Sequence, residues 1–166
     1  MKQIILWGMR EPVFTLLDEL KISYRLQEHE AVFTVAESSV KLPEKAPVKT
    51  LLLTDEKKER VWMVAMRGLN RLDVKQLARE LSVKKLQFVK PELVEGLVGV
   101  RPGSVSVFGL LHPGSKNLHV LFDESLLQEP ELGFHPNDNT ATVFLTPADV
   151  QKVIAATGHE CRILAV

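Results

Sequence analysis

Two apolar runs joined by a charged turn constrain this chain more than any other segment. Lys49 to Thr54 reads as a strand, Asp55 to Arg60 as a polar turn, and Val61 to Met66 as a second strand, which together form a hairpin. The remaining elements do not alternate strand and helix with any regularity. Glu11-Pro12 opens a helix to about Leu20, with Phe14, Leu17 and Leu20 on its buried face. Tyr24 to Gln27 reads as a short strand, and Thr34 to Val40 as a short helix. Arg71 to Leu81 carries Val74, Leu77, Ala78 and Leu81 at the spacing of one helix face. Leu86 to Val89 is a short strand and Pro91 to Leu97 a short helix. Val105 to Leu111, Leu118 to Phe122 and Ala141 to Leu145 read as further strands. Thr146-Pro147 starts a last helix, with Thr146 as its cap, that runs to about Ala156 and stops at Gly158. This order predicts a single α+β domain with a largely antiparallel sheet.

Size and charge narrow the class. A chain of 166 residues is the length of one domain with a real core. Its 45% hydrophobic and 25% charged residues are ordinary for a globular protein. The apolar runs are too short for a transmembrane helix, and Met1 to Arg10 lacks the length and cleavage site of a signal peptide. The one cysteine, Cys161, precludes an internal disulfide, so a reducing, cytoplasmic setting is the expectation. The 21 basic and 21 acidic residues cancel, which argues against a strong nonspecific nucleic-acid binder but leaves room for a local basic patch. No internal repeat stands out, and Lys41 to Pro47 is a loop too short to separate domains.

Four segments can carry chemistry. In Gly133-Phe134-His135-Pro136, proline fixes its own φ and biases His135 toward extended geometry, so the imidazole sits on a restrained loop before the strand at Ala141. That suits a side chain that reads the size or polarity of a small ligand; a plain turn with an exposed histidine fits the same residues. Lys49 opens an apolar strand, where an ammonium can hold a carbonyl, carboxylate or phosphate oxygen, or can snorkel to water. Arg101-Pro102-Gly103-Ser104 makes a tight turn in which Gly103 permits close approach of the backbone to a ligand, and N–H groups there can stabilise an oxyanion. The same residues also suit a simple turn into a strand. Arg71, Lys75 and Arg79 recur every four residues, with Lys84 and Lys85 just beyond; such a line binds a phosphate backbone or is a solvated face. There is no cysteine pair, no His-Glu-x-x-His, no phosphate-binding loop and no Gly-x-Ser-x-Gly elbow, and the histidines are scattered, so no metal and no cofactor are expected.

The order of five segments resembles a known family. His29-Glu30-Ala31-Val32-Phe33-Thr34-Val35 comes first, then Lys49-Thr50-Leu51-Leu52-Leu53 with Asp55 following. Leu72-Asp73-Val74-Lys75-Gln76-Leu77-Ala78, Pro102-Gly103-Ser104 to Leu110, and Phe134-His135-Pro136 to Thr142 complete the series. The chain is similar to the YbaK-type aminoacyl-tRNA deacylases, editing domains associated with prolyl-tRNA synthetase. The Phe-His-Pro-x-x-Asn pattern is most like their free-standing alanyl-tRNA(Pro) deacylases, and the likeness runs from about Pro12 to Leu164.

The resemblance implies a compact domain around a curved, mixed, barrel-like sheet with surrounding helices. It implies trans-editing: hydrolysis of alanine from mischarged tRNA(Pro) in a second, smaller pocket, because binding alone discriminates poorly between small side chains. By motif match, Lys49 corresponds to the essential lysine that holds the reacting end, and Gly103 and Ser104 to the loop on the aminoacyl ester. His135 shapes the pocket, Asn139 supports it, and Phe33, Thr50 and Val105 line it. The partner implied is the acceptor end of aminoacylated tRNA(Pro), reached through Arg71, Lys75, Arg79, Lys84 and Lys85. Prolyl-tRNA synthetase or an elongation factor is a transient partner, and a monomer is the expectation. Two positions depart from the pattern: Val107 stands where the glycine loop often ends in proline, and Thr50 where asparagine often follows the lysine. Both bear on which amino acid is accepted. Deacylation of seryl-, threonyl- or cysteinyl-tRNA is the nearest alternative, and a noncatalytic tRNA- or synthetase-binding module of the same fold is the other.

Overall fold

A computed structural model describes residues 10–31 and 48–166 of the chain. Helix α1 (Glu11–Glu19) begins with proline in its first turn and buries Val13 and Leu17. Strand β1 (Arg25–Glu28) follows, and then the hairpin of β2 (Val48–Asp55) and β3 (Val61–Arg67), in register from Val48 opposite Arg67 to Thr54 opposite Val61. The buried Asp55 carboxylate closes the turn by accepting from the N–H groups of Glu59 and Arg60. Helix α2 (Val74–Glu80), β4 (Leu86–Phe88) and α3 (Pro91–Val98) come next. Short 3-10 turns at Pro102–Ser104, Val107–Leu111 and Pro113–Ser115 lead to β5 (His119–Asp123). A further 3-10 turn, Glu124–Gln128, precedes β6 (Leu132–Phe134), β7 (Ala141–Leu145), α4 (Pro147–Ala156) and β8 (Cys161–Leu164).

These strands make two sheets. The larger has the order β4-β2-β3-β5-β8, antiparallel through the hairpin and parallel from β3 to β5 to β8. The smaller is antiparallel throughout, β1-β7-β6. The expected α+β class and mixed sheet are present, but the sheet is not barrel-like. Neither sheet closes, and among the described residues β4 pairs only with β2 and β8 only with β5. Closure needs the two edge strands to pair, and among the described residues the edges, β4 and β8, do not; β3, in the middle, buries both faces. Met63 and Ala65 join one apolar cluster with Phe122, Phe108 and Leu145; Trp62, Val64 and Met66 join another with Leu77 and Ala78 of α2. The larger sheet is therefore a middle layer. The small sheet, α1, α3 and α4 cover one face, and α2 covers the other.

Several sequence boundaries shift. The helix expected at Arg71 starts at Val74, because the Asp73 carboxylate caps it by accepting from the Gln76 N–H at 2.9 Å. The expected strand Val105–Leu111 is instead a 3-10 turn in which Val107, Phe108, Gly109 and Leu110 are buried at consecutive positions. A strand would alternate them. The Ser106 hydroxyl accepts from the Phe108 N–H, and Gly109 lies so close to α3 that a Cβ there would stand 2.8 Å from Val98 Cβ. The cap at Thr146 is present, its hydroxyl accepting from Asp149 N–H at 3.2 Å. The expected helix Thr34–Val40 and the loop Lys41–Pro47 lie outside the described residues. No described helix is long and apolar enough to cross a membrane.

Phe122 of β5 is fully buried in the larger apolar cluster. Truncation removes its transfer energy and leaves a void. Phe122→Ala is expected to cost about 3 to 5 kcal/mol, read as a lower urea midpoint with an unchanged slope.

Candidate active site

The two strands β6 and β7 are joined by the loop that carries His135. Phe134 anchors its start in the core, and Gly133 before it admits the Thr142 methyl and the Phe144 ring from β7, which would stand 2.9 and 3.0 Å from a Cβ. His135 Nδ1 lies 2.9 Å from the Ala141 carbonyl across the loop. A carbonyl only accepts, so Nδ1 carries the proton, and Nε2 of the neutral ring is an acceptor. Burial lowers the pKa of His135, and the charge of His29 adds to the effect. Together they outweigh the opposing influence of the Ala141 hydrogen bond and Asp138, so the ring stays neutral below the usual histidine range. The His135 carbonyl accepts from the Ser106 hydroxyl at 2.8 Å and from the Asn137 N–H at 2.9 Å. The first of these ties the loop to the segment that follows Gly103 and Ser104.

A second histidine belongs to this cluster. His29 follows β1, its N–H donating to the Thr140 carbonyl at 2.9 Å. Its Nδ1 lies 2.7 Å from the Glu30 carbonyl and its Nε2 2.8 Å from the Thr142 hydroxyl. The His29 and His135 rings meet edge to face, centroids 5.9 Å apart. Sequence reasoning quoted His29 within a motif without giving it a site role. Its position at the end of a strand, as the one imidazole of that motif, was the available signal.

Arg10 clamps the loop from outside. Its guanidinium donates to Asp138 at 3.0 Å, to Glu28 at 2.7 Å and to the Thr140 hydroxyl at 2.8 Å. Asp138 in turn accepts from the Thr140 N–H at 2.7 Å. Burial alone would push the Asp138 carboxyl up; the hydrogen bonds from Thr140 and Arg10 outweigh it and hold the carboxyl below its ordinary value. Asn139 lies half-buried in the same loop. Asn137 is buried at 5% exposure with φ of +61°, and its Oδ1 has no hydrogen-bond partner.

The other predicted residues take varied places. Gly103 is exposed and Ser104 half-buried in the 3-10 turn, where the Ser104 N–H donates to the Arg101 carbonyl at 2.9 Å; Val105 packs against the core beside them. Lys49 lies opposite Met66 in the hairpin and donates to the Asn70 carbonyl; burial lowers its pKa. Strand alternation puts Lys49 on the face of Leu51 and Leu53, and Thr50 on the other, which faces the small sheet. The structure thus joins the His135 carbonyl to Ser106, two residues beyond the glycine turn, while Lys49 is engaged at Asn70. Phe33 lies outside the described residues. Lys75 and Arg79 are exposed on α2, and Lys84 and Lys85 are exposed beyond it. Arg71 precedes the Asp73 cap, so the expected four-residue line holds on the helix only for Lys75 and Arg79. Among the described residues no group of three or more His, Cys, Asp or Glu can hold a metal ion. Cys161 is half-buried, its thiol pushed up to about 11 by burial.

Comparison with known proteins places this fold and loop in a family. The model of the aminoacyl-tRNA editing domain matches residues 29–153, and the chain belongs to that family. It is 34% identical to the "Prolyl-tRNA editing protein ProX" of Acetoanaerobium sticklandii over 93% of this chain and 96% of that one. It is 30% identical to "Prolyl-tRNA synthetase associated domain-containing protein 1" of Danio rerio over 95% of this chain and 87% of that one. The fold is shared with a crystal structure assigned provisionally as a trans-editing enzyme for prolyl tRNA synthetase, at a TM-score of 0.73 and 24% identity over 99% of both chains.

The Asp138 clamp has a pH signature. Its carboxyl is held low in the folded state, so its stabilising effect is full above about pH 4, the unfolded carboxylate value, and is lost as pH falls from there through the folded value. Asp138→Asn is expected to be less stable than wild type at pH 7, and the gap should close below pH 4 in thermal melts.

Proposed function

We propose that this protein is a trans-editing hydrolase that removes alanine from mischarged Ala-tRNA(Pro). The observation that carries the reading is that the editing-domain match, residues 29–153, encloses His29, Lys49, the Gly103 turn and the whole His135 loop. A relative named for prolyl-tRNA editing, similar along nearly the full length of both chains, supports the choice of tRNA.

In this reading water adds to the carbonyl carbon of the aminoacyl ester, the bond to the ribose oxygen breaks, and free alanine and uncharged tRNA leave. The chain contributes position and polarity rather than a nucleophile. Lys49 holds an oxygen at the reacting end; the Asn70 carbonyl that now takes its ammonium is a neutral partner that a substrate oxygen can replace. The Ser104 N–H is engaged at Arg101, so Gly103 N–H serves the developing oxyanion. His135 sets the size of the aminoacyl pocket. Its neutral ring is fixed by Ala141, and its backbone by Ser106 and Pro136, so a larger side chain is refused instead of accommodated. Phe33, Thr50, Val105 and Asn139 complete the pocket. Lys75, Arg79, Lys84 and Lys85, with Arg71 ahead of the helix, meet the phosphates of the acceptor end, and any contact with prolyl-tRNA synthetase or an elongation factor is transient.

The test is a side-by-side deacylation panel of Ala-, Ser-, Thr-, Cys- and Pro-charged tRNA. Alanine is expected to be released selectively, and Lys49→Ala to lose about 100-fold or more in rate with unchanged folding. Release of another amino acid moves the specificity within the family, and binding without release of any makes the chain a noncatalytic module.

Changing Arg71, Lys75 and Arg79 together to Ala is expected to weaken tRNA binding and to flatten its dependence on salt by up to about 3 units of log-log slope. An unchanged slope removes this face from the interface.

A further inference from the structure

The Asn137 side chain has no role in the fold that the structure explains. The residue is 5% exposed, and its Oδ1 is buried without a hydrogen-bond donor. Its φ of +61° lies in the left-handed region, where glycine is unstrained and asparagine is merely tolerated. Both features destabilise the folded chain, and both are avoided by glycine at this position. A carboxamide kept under those conditions points to a partner that the protein alone does not contain.

The location narrows what that partner is. Asn137 sits two residues after His135, its own N–H bound to the His135 carbonyl at 2.9 Å. His135 presents Nε2 as an acceptor because Nδ1 is committed to Ala141. The loop therefore holds one buried acceptor without a donor, the carboxamide Oδ1, two residues from an imidazole whose Nε2 is the acceptor of the neutral ring. Such a site takes a group rich in N–H donors and tolerant of positive charge. On an aminoacyl ester that group is the α-ammonium, since the ester itself only accepts.

We infer that Asn137 is a substrate-binding residue whose Oδ1 accepts from the α-ammonium of the aminoacyl ester. This rests on the deacylase reading above. It adds a second criterion to the site: His135 limits the size of the side chain, and Asn137 requires an α-amino group. The Arg10 clamp on Asp138 and Thr140 holds the loop that carries both.

The experiment compares alanyl-tRNA(Pro) with propionyl-tRNA(Pro), which has the same carbon skeleton and no amino group. Asn137→Gly removes the carboxamide and relieves the φ, so it is expected to unfold at the wild-type temperature or above. Wild type is expected to favour the alanyl ester in kcat/KM, and Asn137→Gly to lose about tenfold or more of that preference, mostly through KM for the alanyl substrate. Asn137→Asp, which keeps an acceptor, is expected to retain it. An unchanged alanyl-to-propionyl ratio in Asn137→Gly overturns the role, and a lower melting temperature with that unchanged ratio assigns the carboxamide to the fold. Wild type that cleaves neither ester overturns the deacylase reading and this role with it. Wild type that cleaves both equally overturns this role alone.

Discussion

The double burial of β3 is the constraint on which the structure depends. Its odd and even positions enter separate apolar clusters, so neither face of the larger sheet can be left to solvent. A fully buried Val or Met side chain contributes about 1.5 to 3 kcal/mol, and the strand places five buried apolar residues, Trp62 to Met66, in succession between the layers. The small sheet is held against one face through Leu132, Phe134, Val143 and Leu145. Its position follows from packing, not from backbone pairing with the larger sheet. The loop between β6 and β7 therefore inherits its place from the core beneath it.

On that support the His135 loop is rigid for local reasons. Proline restricts the backbone, Ala141 orients the ring, Ser106 binds the carbonyl and Arg10 secures Asp138 and Thr140. In the proposed deacylase role, a pocket that distinguishes amino acids differing by one or two methylenes needs walls that do not yield, because the binding difference is only about 1 to 3 kcal/mol. Burial keeps the charge off the His135 ring, and the backbone decides which nitrogen faces outward.

Much of this was legible from local pattern. The hairpin, the Ala141–Leu145 strand and the Thr146-capped helix all appear where propensity and turn chemistry put them. His135 was singled out because a proline beside it restrains the backbone whatever the fold. Val105–Leu111 was read as a strand because a continuous apolar run has no period, and burial among helices leaves the same trace as burial in a sheet. Strands β6 and β8 escaped notice, although β1 and β4 are as short and were read; β6 carries Gly133, a poor strand former, at its centre.

The sequence by itself determined the class, the family and the restrained histidine, since these depend on residue types within a few positions of one another. Only the tertiary structure decided the open, two-faced sheet, because closure depends on which edges meet. It alone set His29 beside His135, 106 positions away along the chain, and brought Arg10 onto Asp138. It also showed that the Asn137 carboxamide is buried without a donor. Whether a polar atom is satisfied is a property of every group that surrounds it, and no local reading of the chain contains that information.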